Sequence, residues 1–266
     1  VYMFLFSRLG GSRKREDLAN DLIYKIQADE NFIIQFIREI KDYGKGFEIA
    51  IDEKALKNEA TRKQLYSILD YFKPVSQNTP ATCDADLFVK FQLFPENYNL
   101  EHLIVNQSHN ILWRSVAYDE EHPDPNFEFR FTIDDLRTCS AWVSSNNCWA
   151  NFVWVDKDFN RDSLKNKDII NKIKILRGTY IASEVPRNGT YAKKHSHIEI
   201  ICQHIMKTNG YGELLAAYNN NESRANVLGK YQTFINNYFS EDHLKGLQET
   251  LTNELVQKLQ DLYQMI

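Results

Sequence analysis

The sequence has few cysteines, and their spacing excludes a disulfide-based architecture. Among its 266 residues only four are cysteine, Cys83, Cys139, Cys148 and Cys202, and no two of them form a CxxC pair. So low a density argues against a disulfide scaffold. Free cysteine is one of the residue types most often found buried, so we interpret each as a reduced core thiol, as expected in a reducing cytoplasm.

Long apolar runs and a surplus of positive charge are also missing. No apolar run reaches the roughly 18 residues that a membrane-spanning helix needs, and the opening VYMFLF is too short for a signal-peptide core. The formal net charge is -4, so the overall charge does not indicate a nucleic-acid binder, and any basic surface must be local. The chain starts with Val1 rather than Met, and we therefore expect an upstream segment in a longer protein.

What the sequence does have is hydrophobic periodicity of the helical type near its beginning. With 43% hydrophobic residues, the chain can form a sizeable core. Apolar residues recur at helical spacing in 18–26, in 32–40 and again in 61–72, where Pro74 ends the pattern. These segments predict an N-terminal helical region, residues 1–78. The stretch KPVSQNTPATCDAD that begins at Lys73 is rich in turn-forming residues and is interpreted as a linker.

The last part of the chain is also helical in pattern and predicts a C-terminal helical region, residues 181–266. Its final segment carries a leucine stripe, which we interpret as core or as a helix-pairing face. The second alternative allows a homo-oligomer formed through this helix. The stripe consists of Leu244, Leu247, Leu251, Leu255, Leu259 and Leu262.

The central region, residues 79–180, changes character. The segments LFVKFQLF and LEHLIV read as strand or mixed, FEFRFTI alternates, and CWANFVWV is β-rich and aromatic. The period then returns to helical, with Ile169, Ile170, Ile173 and Leu176 on one face. We therefore predict an α+β fold class, in which a mostly helical chain surrounds a small central core that contains strands.

The segment LEHLIV places two ionisable side chains, Glu101 and His102, next to each other. Neighbouring side chains of a strand point to opposite faces, so the pair cannot share one core. A purely structural use would have to satisfy two buried polar groups, which is costly without partners. At a strand end, the opposite directions would let one side chain meet a metal ion and the other meet water.

The order of these motifs resembles that of the HNH, or ββα-metal, endonucleases: a strand with an acidic-His pair, a strand with Asn, then a helix with Asn. The resemblance is closest to the C-terminal nuclease domain of GmrSD-type modification-dependent (type IV) restriction enzymes. It rests on LEHLIV and on WANFVWVDKDFNRDSLKNKDIINK, and it covers about residues 85–180. The chain departs from the usual pattern at Val105, where the family has Pro, and at Ala150, where it has Gly.

The resemblance implies a role for each matching residue. Glu101 would be an acidic metal ligand and His102 the general base, whereas Asn151 would brace the loop that holds the base. Lys172 matches the trailing lysine of the motif, a position for which Lys165 and Lys167 compete, and it is expected to contact phosphate. The implied catalytic set is His102, Asn151 and Lys172, the implied metal ligands are Glu101 and Asn160, and the implied DNA contacts are Arg161, Lys165 and Lys167.

The function implied by the resemblance is metal-dependent hydrolysis of double-stranded DNA in the bacterial cytoplasm. The chain would be the effector domain of a restriction or anti-phage defence protein, with a sensor or NTPase domain upstream and no membrane association. The residue types suit this chemistry, because histidine can accept a proton near neutral pH and Mg²⁺, or Mn²⁺ in its place, accepts oxygen ligands. The alternatives are a catalytically degenerate HNH-like module that only binds nucleic acid or a partner, and a helical interaction protein.

Other histidines receive weaker functional interpretations. His195 and His197 are two positions apart, and such residues do not converge on a helix, so we predict that they are exposed to solvent. His109 and His122 lie in predicted loops, where contact with DNA is the functional alternative. Local basic clusters at 13–15, 165–167 and 191–194 are alternative phosphate contacts, against the simpler interpretation as solvated helix faces.

Overall fold

The computed structural model describes residues 15–28, 53–73, 82–104, 148–164, 167, 169–181, 196–220 and 222–263, and these are mostly helical. The predicted mostly helical α+β class is confirmed at that level. Two small two-stranded sheets supply the β part of the described chain. The segments 32–40 and FEFRFTI, together with His109, His122, His195 and Lys165, lie outside the described residues.

The elements follow one another in a simple order. The helices and strands are α1 (Arg15–Ala28), α2 (Glu53–Lys57), α3 (Glu59–Tyr71), β1 (Phe72–Lys73), β2 (Thr82–Cys83), α4 (Ala85–Leu93), β3 (Tyr98–His102), β4 (Phe152–Asp156), α5 (Lys157–Phe159), α6 (Ile169–Leu176), α7 (Ser196–Lys207), α8 (Tyr211–Asn219), α9 (Arg224–Tyr238) and α10 (Glu241–Tyr263). Wider helical turns, Asn160–Leu164 and Arg177–Ile181, extend α5 and α6.

The chain divides into two compact units, and the first contains residues 1–99, 195–197 and 248–266. Its helix α3 begins as capping chemistry predicts, because the Asn58 Oδ1 accepts a hydrogen bond from the Thr61 N–H at 2.9 Å. The helix ends at Tyr71, and the chain then becomes extended at Phe72, before the proline that was predicted to stop it.

The predicted linker that begins at Lys73 is structured at both of its ends. Strands β1 and β2 form a short antiparallel ladder, in which Phe72 lies opposite Cys83 and Lys73 opposite Thr82. The last two residues of the stretch already belong to α4. The turn-forming residues therefore lie between two strands that pair with each other.

The prediction that LFVKFQLF is strand or mixed is corrected, because this segment forms most of helix α4. The Asp84 Oδ1 caps it by accepting a hydrogen bond from the Leu87 N–H at 3.2 Å. An ion pair between Lys90 and Asp86 at 2.8 Å links successive turns. Phe88, Val89 and Phe91 are all buried, so the run lacks the single apolar stripe by which an amphipathic helix is recognised.

The second unit contains residues 100–194 and 198–247. Strands β3 and β4 are hydrogen-bonded neighbours in one sheet, and α5 begins directly after β4. The predicted apolar face of α6 is confirmed, since Ile169, Ile170, Ile173 and Leu176 are all buried. Glu101 lies on β3, Asn151 ends the short turn Trp149–Asn151 directly before β4, and Lys172 lies on α6, all in this unit.

The predicted leucine stripe lies on helix α10, and four of its residues settle its interpretation. Leu247, Leu251, Leu255 and Leu259 are at most 1% exposed, so they pack inside the chain. This burial confirms the interpretation as core. The same four side chains are consequently not available as an assembly surface.

Candidate active site

The candidate site is built at the end of strand β3, where Glu101 meets a lysine from helix α6. The Lys172 ammonium forms a short ion pair with the Glu101 Oε1 and also donates a hydrogen bond to the His102 carbonyl oxygen at 2.5 Å. The side chains are 3% exposed for Lys172 and 11% exposed for Glu101. Each buried charge is thus paired with the other, which offsets part of the cost of removing both from water.

Asn151 fixes the backbone that follows His102. Its Oδ1 accepts a hydrogen bond from the Ile104 N–H at 2.7 Å, and its Nδ2 donates to the Ile104 carbonyl at 3.0 Å. The Asn151 carbonyl also accepts a hydrogen bond from the Leu103 N–H at 2.9 Å. Because Asn151 is fully buried, these bonds hold two residues directly after His102 without competition from water.

The His102 side chain is half-buried and lies against an aromatic ring. Its centroid is 4.3 Å from that of Phe152, the first residue of β4, at an interplanar angle of 58°. The His102 imidazole therefore packs against the neighbouring strand, and the His102 backbone carbonyl accepts a hydrogen bond from Lys172.

A tyrosine from outside the motif supports the turn that carries Asn151. The Tyr238 hydroxyl, on helix α9, donates a hydrogen bond to the Ala150 carbonyl at 2.7 Å, and Tyr238 is fully buried. In the same unit, the Asn171 Nδ2 donates to the Tyr218 hydroxyl at 2.8 Å, next to Lys172 on α6. Sequence reasoning missed both tyrosines, because nothing in a helical pattern shows which distant residue a tyrosine hydroxyl reaches.

In the segment directly after β4, the predicted site residues that the structure describes do not share the contacts that join Glu101, His102 and Lys172. Asn160 is half-buried at the start of the wide turn, and among the contacts of the described residues its side chain does not join the group at β3. Arg161 is exposed and pairs with Asp162 at 2.9 Å and with Asp158 at 3.2 Å. The hydrogen bond to Asp162, then the charges of both carboxylates, raise the pKa of Arg161. Lys167 is half-buried.

The predicted exposure of His197 is wrong. This histidine is fully buried in the first unit, with its Nδ1 at 2.5 Å from the Asp70 Oδ2 and its backbone N–H donating to the Asp70 Oδ1 at 3.0 Å. Its ring stacks on Tyr66 at 4.6 Å between centroids. The spacing of the two histidines carried no information on whether one of them faces the core, and His195 lies outside the described residues.

A second histidine pair, His204 and His243, lies in the other unit, with ring centroids 3.9 Å apart. The Thr208 hydroxyl donates its one proton to the His204 carbonyl, so its oxygen accepts from the His243 Nε2–H at 2.9 Å. The His204 Nε2–H donates to the His243 carbonyl at 2.9 Å. Burial is the main cause that lowers the pKa of both, that of His243 to about 4.

The donors at β3 and after β4 suit a hard cation in their chemistry. Lys172 binds Oε1 of Glu101, and Oε2 makes no hydrogen bond to any other residue in the described ranges. The Asn160 amide oxygen is a second donor of the type that Mg²⁺ accepts. In the described part of the chain, no three side chains among His, Cys, Asp and Glu form a group that could hold a metal on their own, so waters and phosphate oxygens would have to complete the shell.

Comparison with protein-family models, with curated proteins and with solved structures gives no match for this chain. None of the helices in the described ranges combines the length and the apolarity that crossing a membrane requires. What the chain does is therefore inferred from its residues and their geometry.

Proposed function

We propose that this chain is a metal-dependent DNA endonuclease of the HNH type, the effector domain of a bacterial restriction or anti-phage defence protein that acts in the cytoplasm. The observation that carries the proposal is the pair of hydrogen bonds between Asn151 and Ile104. An asparagine that precedes the second strand is tied to the backbone just after the histidine of the first strand. The resemblance assigns that bracing role to Asn151.

His102 is proposed as the general base. An imidazole can take a proton from the attacking water at neutral pH, and its ring is held by Phe152 while the backbone behind it is held by Asn151. Glu101 and Asn160 would bind Mg²⁺ or Mn²⁺, which when present stabilises negative charge on the phosphate and on the leaving oxygen.

Double-stranded DNA is the proposed substrate. The basic residues of the segment after β4, Arg161, Lys165 and Lys167, would contact its phosphates, which positions a duplex without reading its sequence. Arg161 would have to exchange its two carboxylate partners for phosphate oxygens, so its contribution to DNA binding is expected to be smaller than that of an unpaired cation.

Nicking of supercoiled plasmid by the purified protein tests the proposal. With Mg²⁺ or Mn²⁺ present, His102→Ala should fold with a near-normal circular dichroism spectrum and should cut about 10²–10⁴-fold more slowly, the range expected for loss of a general base. His102→Gln, which keeps much of the side-chain volume, should be equally slow. Undiminished nicking by either folded variant would contradict the assignment.

One observation favours a second candidate, a degenerate HNH-like module that binds nucleic acid or a partner without cutting it. The Glu101 carboxylate, which the resemblance assigns to the metal, already has a buried cation beside it in Lys172. If that ion pair excludes a divalent cation, the wild-type protein should bind duplex DNA but show no nicking at any concentration of Mg²⁺ or Mn²⁺.

A further inference from the structure

Lys172 is a buried lysine whose ammonium contacts two consecutive residues of the candidate site. It binds the side chain of Glu101 and the backbone carbonyl of His102. A lysine ammonium has three hydrogen-bond donors, so one group can hold both acceptors at once. Because α6 carries the lysine and β3 carries the two acceptors, this contact also ties the helix to the end of the strand.

The burial of Lys172 does not fit a phosphate contact. Its side chain is only 3% exposed, and its charge is already directed at Glu101. A lysine that contacts a duplex must present its ammonium at the surface. On the same helix Lys174 is exposed, whereas Lys172 is not. The expectation that Lys172 binds phosphate therefore gives way to a role inside the protein.

We propose that Lys172 is a positioning residue, which fixes the Glu101 carboxylate and the His102 backbone in one geometry. This inference rests on the proposed nuclease function. Holding Oε1 restricts the rotation of the carboxylate and keeps Oε2 as the oxygen that meets a cation. Holding the His102 carbonyl adds to the bonds of Asn151, so that the backbone is fixed both at the histidine and directly after it.

The test compares Lys172→Met and Lys172→Arg with Lys174→Met as the matched surface control. Plasmid nicking gives kcat and KM at a temperature at which circular dichroism shows each variant to be folded. We expect Lys172→Met to lower kcat by about 10²-fold, the cost typical of a misplacement near 1 Å, with little change in KM. Lys174→Met should keep the wild-type kcat.

Two further measurements separate positioning from phosphate binding and from charge alone. DNA affinity against salt concentration, measured without divalent metal, should keep its slope in Lys172→Met, whereas loss of a phosphate contact would reduce it by about 0.9. Lys172→Arg keeps the charge, but its planar guanidinium cannot reproduce the geometry of a compact ammonium. This variant therefore tests the positioning role even if Lys172→Met does not fold. It should bind DNA normally and cut at least several-fold more slowly than wild type.

Hydrogen exchange at the Leu103 and Ile104 amides gives a readout that does not depend on cutting. These amides should exchange faster in both Lys172 variants and at the wild-type rate in Lys174→Met. Wild-type kcat in folded Lys172→Arg, a raised KM with a reduced salt slope, or unchanged exchange in the Lys172 variants would each overturn the inference. Failure of the wild-type protein to cut would instead contradict the proposed function, and the exchange rates would still decide the role of Lys172.

Discussion

The side-chain amide of Asn151 pairs with both backbone hydrogen-bonding groups of Ile104, accepting from its N–H at 2.7 Å and donating to its carbonyl at 3.0 Å. The two residues are 47 positions apart, so this contact closes a long excursion of the chain. It holds the segment that follows His102 in place. The geometry of the proposed base therefore depends on a residue that need not touch the substrate.

Asn151→Ala should reduce stability as well as cutting. It leaves the N–H and the carbonyl of Ile104 without these partners in a buried site, at roughly 1–3 kcal/mol for each unsatisfied group. Asn151→Asp keeps the acceptor for the Ile104 N–H but should not recover the loss near neutral pH, because an ionised carboxylate would be buried facing the Ile104 carbonyl. Urea unfolding measures both changes, and an Ala variant as stable as wild type would show that the bonds are replaced by water.

His197→Ala should destabilise the protein strongly, although no role in cutting is proposed for it. The change leaves Asp70 as a buried carboxylate without its imidazole partner, and breaking a buried pair in this way typically costs about 3–5 kcal/mol. Thermal unfolding measures the loss. The double variant His197→Leu with Asp70→Leu should recover part of it, since it also removes the buried carboxylate, and no recovery would argue that shape rather than charge dominates.

The His204 and His243 pair should make stability depend on pH. Because the folded state lowers the pKa of both groups from about 6.5, and that of His243 to about 4, the unfolded chain binds protons first as the pH falls. The contribution of the two neutral histidines to the free energy of unfolding is constant above about pH 7.5. It is lost progressively between about pH 6.5 and pH 4. Urea midpoints of wild type and His243→Asn should therefore approach each other with acidification, and parallel curves would contradict the assignment.

Asn160→Ala should weaken the use of metal without unfolding the protein. If its amide oxygen binds the cation, cutting should fall strongly at low Mg²⁺ and recover in part at high Mg²⁺ or with Mn²⁺, which binds such sites more tightly. Asn171→Ala is the comparison, because its amide donates to Tyr218 and its loss should affect stability instead. Normal cutting by Asn160→Ala together with an inactive Asn166→Ala variant would indicate that Asn166, and not Asn160, is the metal ligand.

Local patterns were enough for most of the helices that the structure describes. The spacing of Leu22 and Ile26, and of the leucines in α10, follows directly from which face is buried, so periodicity identifies those helices. The same reasoning failed for α4, whose apolar residues lie on several sides. An apolar run of that length fits a strand as well as a helix until its packing is known.

In the candidate site, too, local sequence predicted some features, whereas others depend on the packing of distant segments. The strand that carries Glu101 and His102 and the strand that follows Asn151 could be predicted from their β-rich composition, although Asn151 itself ends a short turn before that strand. The pairing of Lys172 with Glu101, 71 positions away, could not, because only the packing of α6 on β3 brings them together. His197 was missed for the same reason, since its carboxylate partner comes from residue 70.

Because of the hydrogen bond from Tyr238 to Ala150, the two strands and their helix do not form a structurally independent segment. A segment of about residues 85–180, transplanted into another protein or expressed alone, would leave the Ala150 carbonyl without the hydroxyl that meets it. The turn that carries Asn151 would then rest on its local bonds alone. A host would have to supply a buried donor at that position, so the minimal transferable unit extends at least to helix α9.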